Sequence, residues 1–347
     1  MSFISRQLID WHKIAGRQNL PWQNTKDPYL IWLSEIMLQQ TQVNTVIPYY
    51  KKFIKQFPSI DKLALTNEER VLELWSGLGY YSRAKNLYKT AVIISKNFDG
   101  KFPSLFEDLL LLPGIGRSTA GAISSIAFRE RKPILDGNVK RVFTRYFGIR
   151  EWPGKLSIEK KLWNLAESNL PPSSKNIHTY TQALMDLGAT VCKRNQPLCN
   201  ECPLKKQCIS YEKDLIHEIP VSKKKKSLPT KEIFVLAINS NNHFLLKKRA
   251  TNGVWPGLWS MPEVKDFQDT SKWLSKNLQI KKFHIIQEGK HKTAFTHYKL
   301  NIHFQHISIL SPNQRKIEKY KWIEKKEFKK TALPTPINKI FSFLKII

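Results

Sequence analysis

Apolar residues recur at intervals of three and four along the first 212 residues, for example at Ile4, Leu8, Trp11 and Ile14. This spacing places side chains on one face of an α-helix, and scattered prolines mark the loops between short helices. Residues 1–212 are therefore predicted to form a mostly helical domain.

Residues 213–230 interrupt this pattern with a basic, polar segment. The run Lys223–Lys226 is followed by Ser227 and Pro229, a composition typical of a solvated linker between domains. A basic surface loop inside one domain is the alternative. Because the apolar period also changes beyond this segment, we predict a domain boundary here.

Beyond the linker, apolar and polar residues alternate as they do in strands. The segments Ile233–Ile238 and His243–Lys247 flank four turn-forming Asn and Ser residues, which predicts a β-hairpin. Leu300–Phe304 has period two, and the apolar positions shift by one beyond His306, which predicts a strand with a bulge near His306. With two further helical segments, residues 231–347 are predicted to form an α+β domain.

The composition is that of a globular protein with an excess of positive charge. Hydrophobic residues make up 41% of the 347 residues, which excludes bulk disorder, collagen and coiled coil. The 57 Lys and Arg against 28 Asp and Glu give a net charge of +29, which favours a polyanionic partner. Compositional drift toward Lys is the alternative. No apolar run reaches the roughly 18 residues of a membrane span, and Met1–Ile14 lacks a secretory signal, so we expect a soluble, cytoplasmic protein.

All four cysteines lie close together in the sequence, at Cys192, Cys199, Cys202 and Cys208. In a reducing compartment such a group predicts a metal centre and not disulfides. A structural zinc site commonly has two pairs of cysteines separated by two residues, whereas this segment has one such pair with unequal outer gaps. The spacing favours an iron–sulfur cluster and leaves zinc as the alternative.

A glycine-containing turn lies between two apolar segments within about residues 109–128. Gly114 and Gly116 allow a tight turn, and the free N–H groups of the helix that follows can bind an anion. The length suits a helix-hairpin-helix that binds the DNA backbone. A plain turn between two helices is the alternative.

Two acidic residues lie in or next to apolar segments. Glu35 is the single carboxylate of an apolar helical stretch, and burial there would raise its pKa and make it a general acid. Taken singly, Glu35 could be an exposed helix position and Asp136 a helix N-cap. As a pair around one cleft they supply an acid for the leaving group and an anion for the sugar cation, as cleavage of a glycosidic bond requires.

Two other segments combine groups that suit nucleic-acid binding. Three glutamines within residues 39–42 follow the Glu35 stretch and can hydrogen-bond to bases or fill a vacated stack. Tyr80 lies beside cations, so it could stack on bases while Arg83 binds phosphate. Packing of this tyrosine and its neighbour Tyr81 in the core is the alternative.

Several of these segments resemble, in order, the motifs of the adenine DNA glycosylase family of the MutY type, within the helix-hairpin-helix glycosylase superfamily. The matching stretches are SEIMLQQTQV, GLGYYSRAKNL, LPGIGRSTAGAI, LDGNVKRV and the four-cysteine loop at 192–208. The resemblance covers nearly the whole chain. It implies a mostly α helix-hairpin-helix glycosylase domain with an iron–sulfur cluster loop, followed by an α+β Nudix-like domain.

The resemblance also implies a reaction, a cofactor and a partner. The substrate would be double-stranded DNA with adenine opposite 8-oxoguanine or guanine, and the four cysteines would hold a [4Fe-4S] cluster. Glu35 would protonate adenine, and Asp136, supported by Asn138, would stabilise or capture the sugar cation. We expect a monomer, since nothing in the sequence demands an oligomer.

Further contacts with DNA are implied by the same motifs. Leu38 would line the adenine pocket, and Gln40 and Tyr80 would enter the duplex. The DNA backbone would be bound by Gly114, Gly116, Ser118, Thr119 and Lys140.

One position distinguishes activities within the superfamily. Relatives resembling endonuclease III carry a nucleophilic Lys in the hairpin, where this chain has Ser118. We therefore predict a monofunctional glycosylase that leaves an abasic site, although Lys140 could still trap the opened sugar off-path. The competing hypotheses are a bifunctional glycosylase for oxidised pyrimidines and a non-catalytic protein that binds damaged DNA.

The C-terminal domain departs from Nudix hydrolases. Gly257 and Glu263 keep the opening of the Nudix motif, but no Arg-Glu-x-x-Glu-Glu run follows to bind divalent metal, so triphosphate hydrolysis is not expected. The family's Phe-Ser-His loop for 8-oxoguanine corresponds here to Phe295, Thr296 and His297.

Overall fold

The computed structural model of the chain describes residues 1–23, 25–223, 227–250, 253–295, 297–310 and 320–346. These residues form fourteen α-helices and seven strands. The helices are α1 (Phe3–Ala15), α2 (Pro28–Leu38), α3 (Val43–Gln56), α4 (Ile60–Ala64), α5 (Glu68–Trp75), α6 (Ser82–Asn97), α7 (Phe106–Leu111), α8 (Arg117–Ala127), α9 (Gly137–Tyr146), α10 (Leu156–Ser168), α11 (Ile177–Asp186), α12 (Ile209–Glu212), α13 (Thr270–Leu278) and α14 (Thr335–Phe343). The strands are β1 (Thr230–Ser240), β2 (His243–Lys248), β3 (Trp259–Ser260), β4 (Glu263–Val264), β5 (His284–Ala294), β6 (Lys299–Ser308) and β7 (Tyr320–Glu324). Within the described ranges, no helix is long and apolar enough to cross a bilayer.

The chain divides into two compact units. The first consists of Met1–Leu65 and Asn86–Lys225, and the second of Thr66–Lys85 and Lys226–Ile347. A short early segment of the chain, which contains α5, thus packs with the C-terminal residues. Residues 224–226 of the basic run lie outside the described residues.

The first unit is helical around a core in which α1, α8, α9, α10 and α11 all take part. In α1 the buried face runs through Ile4, Leu8 and His12, spaced four apart. Ile14, which we expected on this face, is 89% exposed. It follows Leu8 by six residues, and at 3.6 residues per turn it therefore points about 120° away from Leu8 and off the buried face.

The predicted helix-hairpin-helix is formed by α7, the turn after it and α8. The turn closes with a hydrogen bond from the Ile115 N–H to the Leu112 carbonyl (3.1 Å). Gly114 has φ +81°, the left-handed region that favours glycine, and a Cβ there would meet Asn86 Cβ at 2.9 Å. Gly116 caps α8 with φ −89°, an ordinary value, so the predicted need for glycine conformation holds for Gly114 and is wrong for Gly116.

The second unit contains a mixed sheet with the strand order β3-β2-β1-β6-β5; in addition β4 pairs with β1 and β7 with β2. The predicted hairpin is present, because β1 and β2 are antiparallel with Ser240 opposite His243. Apolar side chains cover both faces: Leu274 of α13 packs with Leu245, whereas the ring of the adjacent Phe244 lies 5.6 Å from that of Phe341 in α14. These two units confirm the predicted order of a mostly helical domain followed by a domain that contains a sheet.

The predicted bulge lies on a different strand from the one expected. β6 pairs with β1 over ten consecutive residues without interruption. The register shift falls instead on β5, between Ile285 and Gln287, opposite Ile307 and His306. The apolar positions of β6 shift near His306 because both of its faces are buried there, and not because the strand contains an extra residue.

Candidate active site

A cavity of about 860 Å³ opens in the first unit, between the end of α2, the start of α8 and the start of α9. It brings together seven of the residues to which the family resemblance assigns roles. These are Glu35, Leu38, Gln40, Ser118, Thr119, Asp136 and Asn138.

Glu35 is carried into this cavity by the most apolar helix of the unit. Helix α2 begins where the Asp27 side chain accepts a hydrogen bond from the Tyr29 N–H (2.9 Å), with Pro28 as its first residue. Glu35 is partly buried between the buried residues Ser34 and Ile36. The alternative interpretation of Glu35, an exposed position on an amphipathic helix, is therefore wrong.

The acidity of Glu35 is changed by this environment. Burial, together with the smaller effect of the negative charge of Asp136, raises the pKa of its carboxyl from 4.5 to about 7. A carboxyl with such a pKa is protonated in a large fraction of molecules at neutral pH. Glu35 can thus donate a proton inside the cavity.

Asp136 caps α9, as one of the two interpretations of the sequence held. Its carboxylate accepts a hydrogen bond from the Val139 N–H at 2.8 Å. Burial raises the pKa of Asp136 above its ordinary value, and the backbone N–H groups at the helix start and the charges of Arg141 and Lys140 offset only part of this rise. The cap therefore fixes a carboxylate that also lines the cavity, so the structural and chemical explanations apply together.

Asn138 is held by an arginine that the sequence reading did not single out. Arg141 donates through Nη2 to Asn138 Oδ1 (2.8 Å) and to the Gly188 carbonyl (2.7 Å). Its Nε donates to the Cys192 carbonyl at 2.8 Å. Arg141 thus joins the start of α9 to the first cysteine of the loop. Its position three residues after Asn138, on the same helix face, is the sequence signal from which its contact with Asn138 could have been predicted.

The hairpin residues contact the segments that carry the carboxyls. The Ser118 hydroxyl accepts a hydrogen bond from the Leu135 N–H (3.0 Å), directly before Asp136. Thr119 accepts one from the Gln39 side chain (3.3 Å). Ser118 therefore supports the backbone next to Asp136, a contact that the sequence does not reveal.

Lys140 and Gln40 differ in their surroundings. Lys140 pairs with Glu159 at 2.5 Å and does not line the cavity. Gln40 is exposed, with φ +56°, just after the end of α2. A strained and exposed position of this kind is common where a residue contacts a ligand.

The four cysteines surround a single small cavity in the first unit. Cys192, Cys199, Cys202 and Cys208 all line it, and all four are free thiols. Burial, together with the three other thiols, raises the pKa of Cys202 to about 12. Within the described ranges, no group of three or more His, Cys, Asp or Glu side chains is arranged to bind a single metal ion.

A buried arginine supports the cysteine loop. Arg145, which is 3% exposed, donates to the carbonyls of Lys193 (2.6 Å) and Arg194 (3.0 Å). The same guanidinium lies 3.5 Å from Cys192 Sγ, and the Cys208 thiol donates to the Arg145 carbonyl at 3.6 Å. The loop therefore holds its sulfurs next to a fixed positive charge.

The remaining predicted site residues belong to the second unit. Tyr80 is 49% exposed with φ +49°, on the turn before α6. The ring of Phe295 lies 4.9 Å from that of Tyr298 and 6.2 Å from that of Trp255. His297 is exposed, and Thr296 lies outside the described residues.

The cavity also contains polar residues that sequence reasoning missed. Arg17 and Gln182 line it, and Arg17 donates to the buried carboxylate of Asp186 through its backbone N–H (2.9 Å) and its Nε (2.7 Å). These residues come from distant segments with no motif of their own. Their presence in the site is a consequence of tertiary packing.

Comparison with known proteins agrees with this architecture. A family model described as HhH-GPD superfamily base excision DNA repair protein matches residues 33–168, and a NUDIX domain model matches residues 233–342. Over 343 residues the chain is 43% identical to an adenine DNA glycosylase of Buchnera aphidicola subsp. Baizongia pistaciae, covering 97% of this chain and 95% of that protein.

Two solved structures resemble the helical part. A thermostable thymine-DNA glycosylase superposes with a TM-score of 0.54 at 29% identity, over 60% of this chain and 95% of that one. Endonuclease III in a non-covalent complex with DNA gives a TM-score of 0.50 at 21% identity, over 62% and 99%, which shows a shared fold.

The two matching family models and the identity along nearly the whole chain show that this is a DNA glycosylase of base-excision repair. This confirms the prediction of an enzyme that hydrolyses N-glycosyl bonds. The chain belongs to the adenine DNA glycosylase family.

Proposed function

We propose that this enzyme removes adenine mispaired with 8-oxoguanine, and also with guanine, from double-stranded DNA and leaves an abasic site. One observation carries the proposal: a carboxyl whose pKa is about 7 lines the same cavity as a second carboxylate, which caps the start of α9. The chain matches an adenine DNA glycosylase along nearly its whole length, which supports adenine as the base that is removed.

The two carboxyls have separate chemical tasks. Adenine leaves poorly as an anion, so Glu35 protonates its ring as the C–N bond breaks, a role that typically contributes about 10² to 10⁴ in rate. In its ionised form, which the hydrogen bond from the Val139 N–H favours, Asp136 stabilises or captures the sugar cation. Asn138, itself held by Arg141, supports Asp136.

The base must leave the stack before it can reach these groups. Unpairing costs roughly a few kcal/mol and is cheapest at a mismatch. In our proposal Leu38 lines the adenine pocket, and Gln40 and Tyr80 enter the duplex. The left-handed backbone of both Gln40 and Tyr80, together with their exposure, supports this assignment.

The hairpin favours simple hydrolysis over strand cleavage. Ser118 occupies the position of the nucleophilic Lys of bifunctional relatives, and its hydroxyl is engaged with the Leu135 N–H. Lys140 is paired with Glu159, which lowers its availability to trap the sugar. DNA-backbone contacts are assigned to Gly114, Gly116, Ser118, Thr119 and Lys140.

The cysteine loop is assigned a [4Fe-4S] cluster held by Cys192, Cys199, Cys202 and Cys208. Four thiols around a shared cavity can supply the four ligands of a cluster, and their spacing in the sequence favours a cluster over zinc. The cluster would fix the loop, so that its basic residues meet the DNA backbone. The reaction itself needs no step at the cluster.

The Nudix-like residues 231–347 are assigned recognition of the base opposite adenine, through Phe295, Thr296 and His297. The catalytic residues lie within 1–212, and 213–230 is proposed as the linker. We expect the enzyme to act as a monomer in the cytoplasm, where its DNA substrate would be.

Cleavage assays on end-labelled duplexes test this proposal. The duplexes contain adenine opposite 8-oxoguanine, adenine opposite guanine, or an oxidised pyrimidine, each with and without hot alkali. We expect strand breaks only after alkali and only at adenine. Breaks without alkali at the pyrimidine would indicate a bifunctional glycosylase, and binding without any breaks would indicate a non-catalytic damage-binding protein.

A further inference from the structure

Glu69, in α5, contacts the sheet of the second unit. Its carboxylate accepts hydrogen bonds from Lys248 Nζ and from the indole N–H of Trp259, both at 2.8 Å. Lys248 also lies 5.6 Å from the centroid of the Trp259 ring. Burial raises the pKa of Glu69, but the hydrogen bonds from Lys248 and Trp259 outweigh it, so the pKa lies below its ordinary value. Glu69 is thus a charged partner at neutral pH.

A second contact holds the turn that follows α5. The Leu333 carbonyl accepts hydrogen bonds from the hydroxyls of Tyr81 (3.0 Å) and Ser76 (3.3 Å). The Tyr81 hydroxyl also accepts one from the Gly77 N–H (3.3 Å). These contacts fix the two ends of the turn that carries the exposed Tyr80.

Trp259 links the two contacts. Its indole donates to Glu69, while its backbone N–H donates to the Ala332 carbonyl (3.0 Å), next to Leu333. Hydrogen bonds therefore join the segment with Tyr80 to the C-terminal residues at two places, at Glu69 before the turn and at the turn itself. Trp259 and the chain from Ala332 to Leu333 connect these two places.

The Glu69 contact lies in a cleft of about 600 Å³ that also contains the remnant of the Nudix motif, Gly257 and Glu263. Two cations of this cleft are already paired with carboxylates of the chain, Lys248 with Glu69 and Arg249 with Glu263. This part of the cleft is therefore built to hold α5 and not a substrate phosphate.

We propose that Glu69 and Tyr81 are positioning residues through which the C-terminal residues set the position of Tyr80 in the duplex. Phe295 contacts Trp255, whose carbonyl accepts a hydrogen bond from the N–H of Leu258, next to Trp259 (3.2 Å). Recognition of 8-oxoguanine beside Phe295 would thereby favour insertion of Tyr80 and extrusion of adenine. This inference rests on the proposed function. When the contacts are weakened, adenine release opposite 8-oxoguanine slows, whereas release opposite guanine changes little, because guanine offers less recognition to transmit.

The test compares single-turnover rates of adenine release from the two mispairs. Glu69→Gln removes the charge, and Tyr81→Phe removes only the hydroxyl. Glu73→Gln is the matched control, since Glu73 lies on the same helix but pairs with Arg70 (2.8 Å). We expect each test variant to lower the 8-oxoguanine-to-guanine rate ratio by about 3- to 10-fold, the range of one hydrogen bond, and the control to change it less than about 2-fold.

Two further measurements separate positioning from loss of folding. The charge reversal Glu69→Lys with Lys248→Glu should recover part of the ratio that Glu69→Lys alone loses, because it restores the ion pair but not the acceptor for the Trp259 indole N–H. Amide hydrogen exchange of residues 77–82 should speed up in the Tyr81→Phe protein without a comparable change in α2. An unchanged rate ratio in both test variants would overturn the inference. A wild-type enzyme that releases no adenine from either mispair would instead overturn the proposed function.

Discussion

The negative charge of Asp136 raises the pKa of Glu35, and the two carboxyls line the same cavity. Like charges in a shared, poorly solvated site disfavour double ionisation, so one carboxyl keeps a proton more readily. Burial raises the pKa of Asp136 as well, but hydrogen bonds at the start of α9 oppose that rise, so we assign proton donation to Glu35.

The rate of adenine release should therefore fall as pH rises through about 7, the pKa of Glu35. Only the protonated form can donate, so above that pH the logarithm of the single-turnover rate should decline with a slope approaching −1. The measurement is a pH series with saturating enzyme on adenine opposite 8-oxoguanine. A rate that stays level well above neutral pH would show that another group donates the proton.

The same pKa predicts a pH-dependent cost to folding. Because the folded-state pKa of Glu35 lies above its ordinary 4.5, this group destabilises the fold increasingly as pH rises from about 4.5 to about 7. The free energy of unfolding of Glu35→Gln should equal that of wild type near pH 4. Above pH 8 it should exceed that of wild type by on the order of 1–3 kcal/mol. Urea unfolding at both pH values measures the difference. A constant difference across that range would contradict the burial of Glu35.

The two tasks of Asp136 can be separated by substitution. Asparagine can still cap α9, so the free energy of unfolding of Asp136→Asn should lie within about 0.5 kcal/mol of wild type. Alanine cannot cap the helix, so that of Asp136→Ala should be lower by about 1 kcal/mol. Both lack the charge, and both should slow adenine release by about 100-fold or more, as removal of a preorganised electrostatic group does. Urea unfolding and single-turnover rates on the same preparations provide the two readings. Near-normal release by Asp136→Asn would exclude a role for the charge.

Ser118 should matter to stability through its contact with Leu135. Ser118→Ala leaves the Leu135 N–H without its hydrogen bond, at a cost of about 1–3 kcal/mol in the free energy of unfolding. Ser124→Ala on the same helix is the control, because the buried Ser124 hydroxyl has no hydrogen-bond partner among the described residues. Urea unfolding should show a loss for Ser118→Ala alone. Equal losses in both proteins would mean that helix packing, and not this contact, is affected.

Features carried by local patterns could be predicted from the sequence. The β1–β2 hairpin follows from turn formers between apolar strands, and α2 follows from an Asp-Pro start and an apolar stretch. The cavity residues Glu35, Ser118 and Asp136 also lie in local motifs. Ser118 and Asp136 lie where short helices begin, and Glu35 is a charged residue within an apolar helix.

Features set by tertiary contacts could not be predicted. Arg17 reaches the cavity through its contact with Asp186, which is 169 residues away in the chain. The bulge opposite His306 depends on β5, whose register no pattern in β6 encodes. The joining of Glu69 to Trp259 likewise depends on packing between segments far apart in sequence.

The central claim is that the Glu35 proton breaks the bond to adenine. The most direct test is the single-turnover release of adenine opposite 8-oxoguanine by Glu35→Gln, with DNA affinity measured on the same protein. Glutamine is nearly isosteric but cannot donate a proton, so we predict release slowed by about 10² to 10⁴ with binding retained. Release at the wild-type rate would contradict the account.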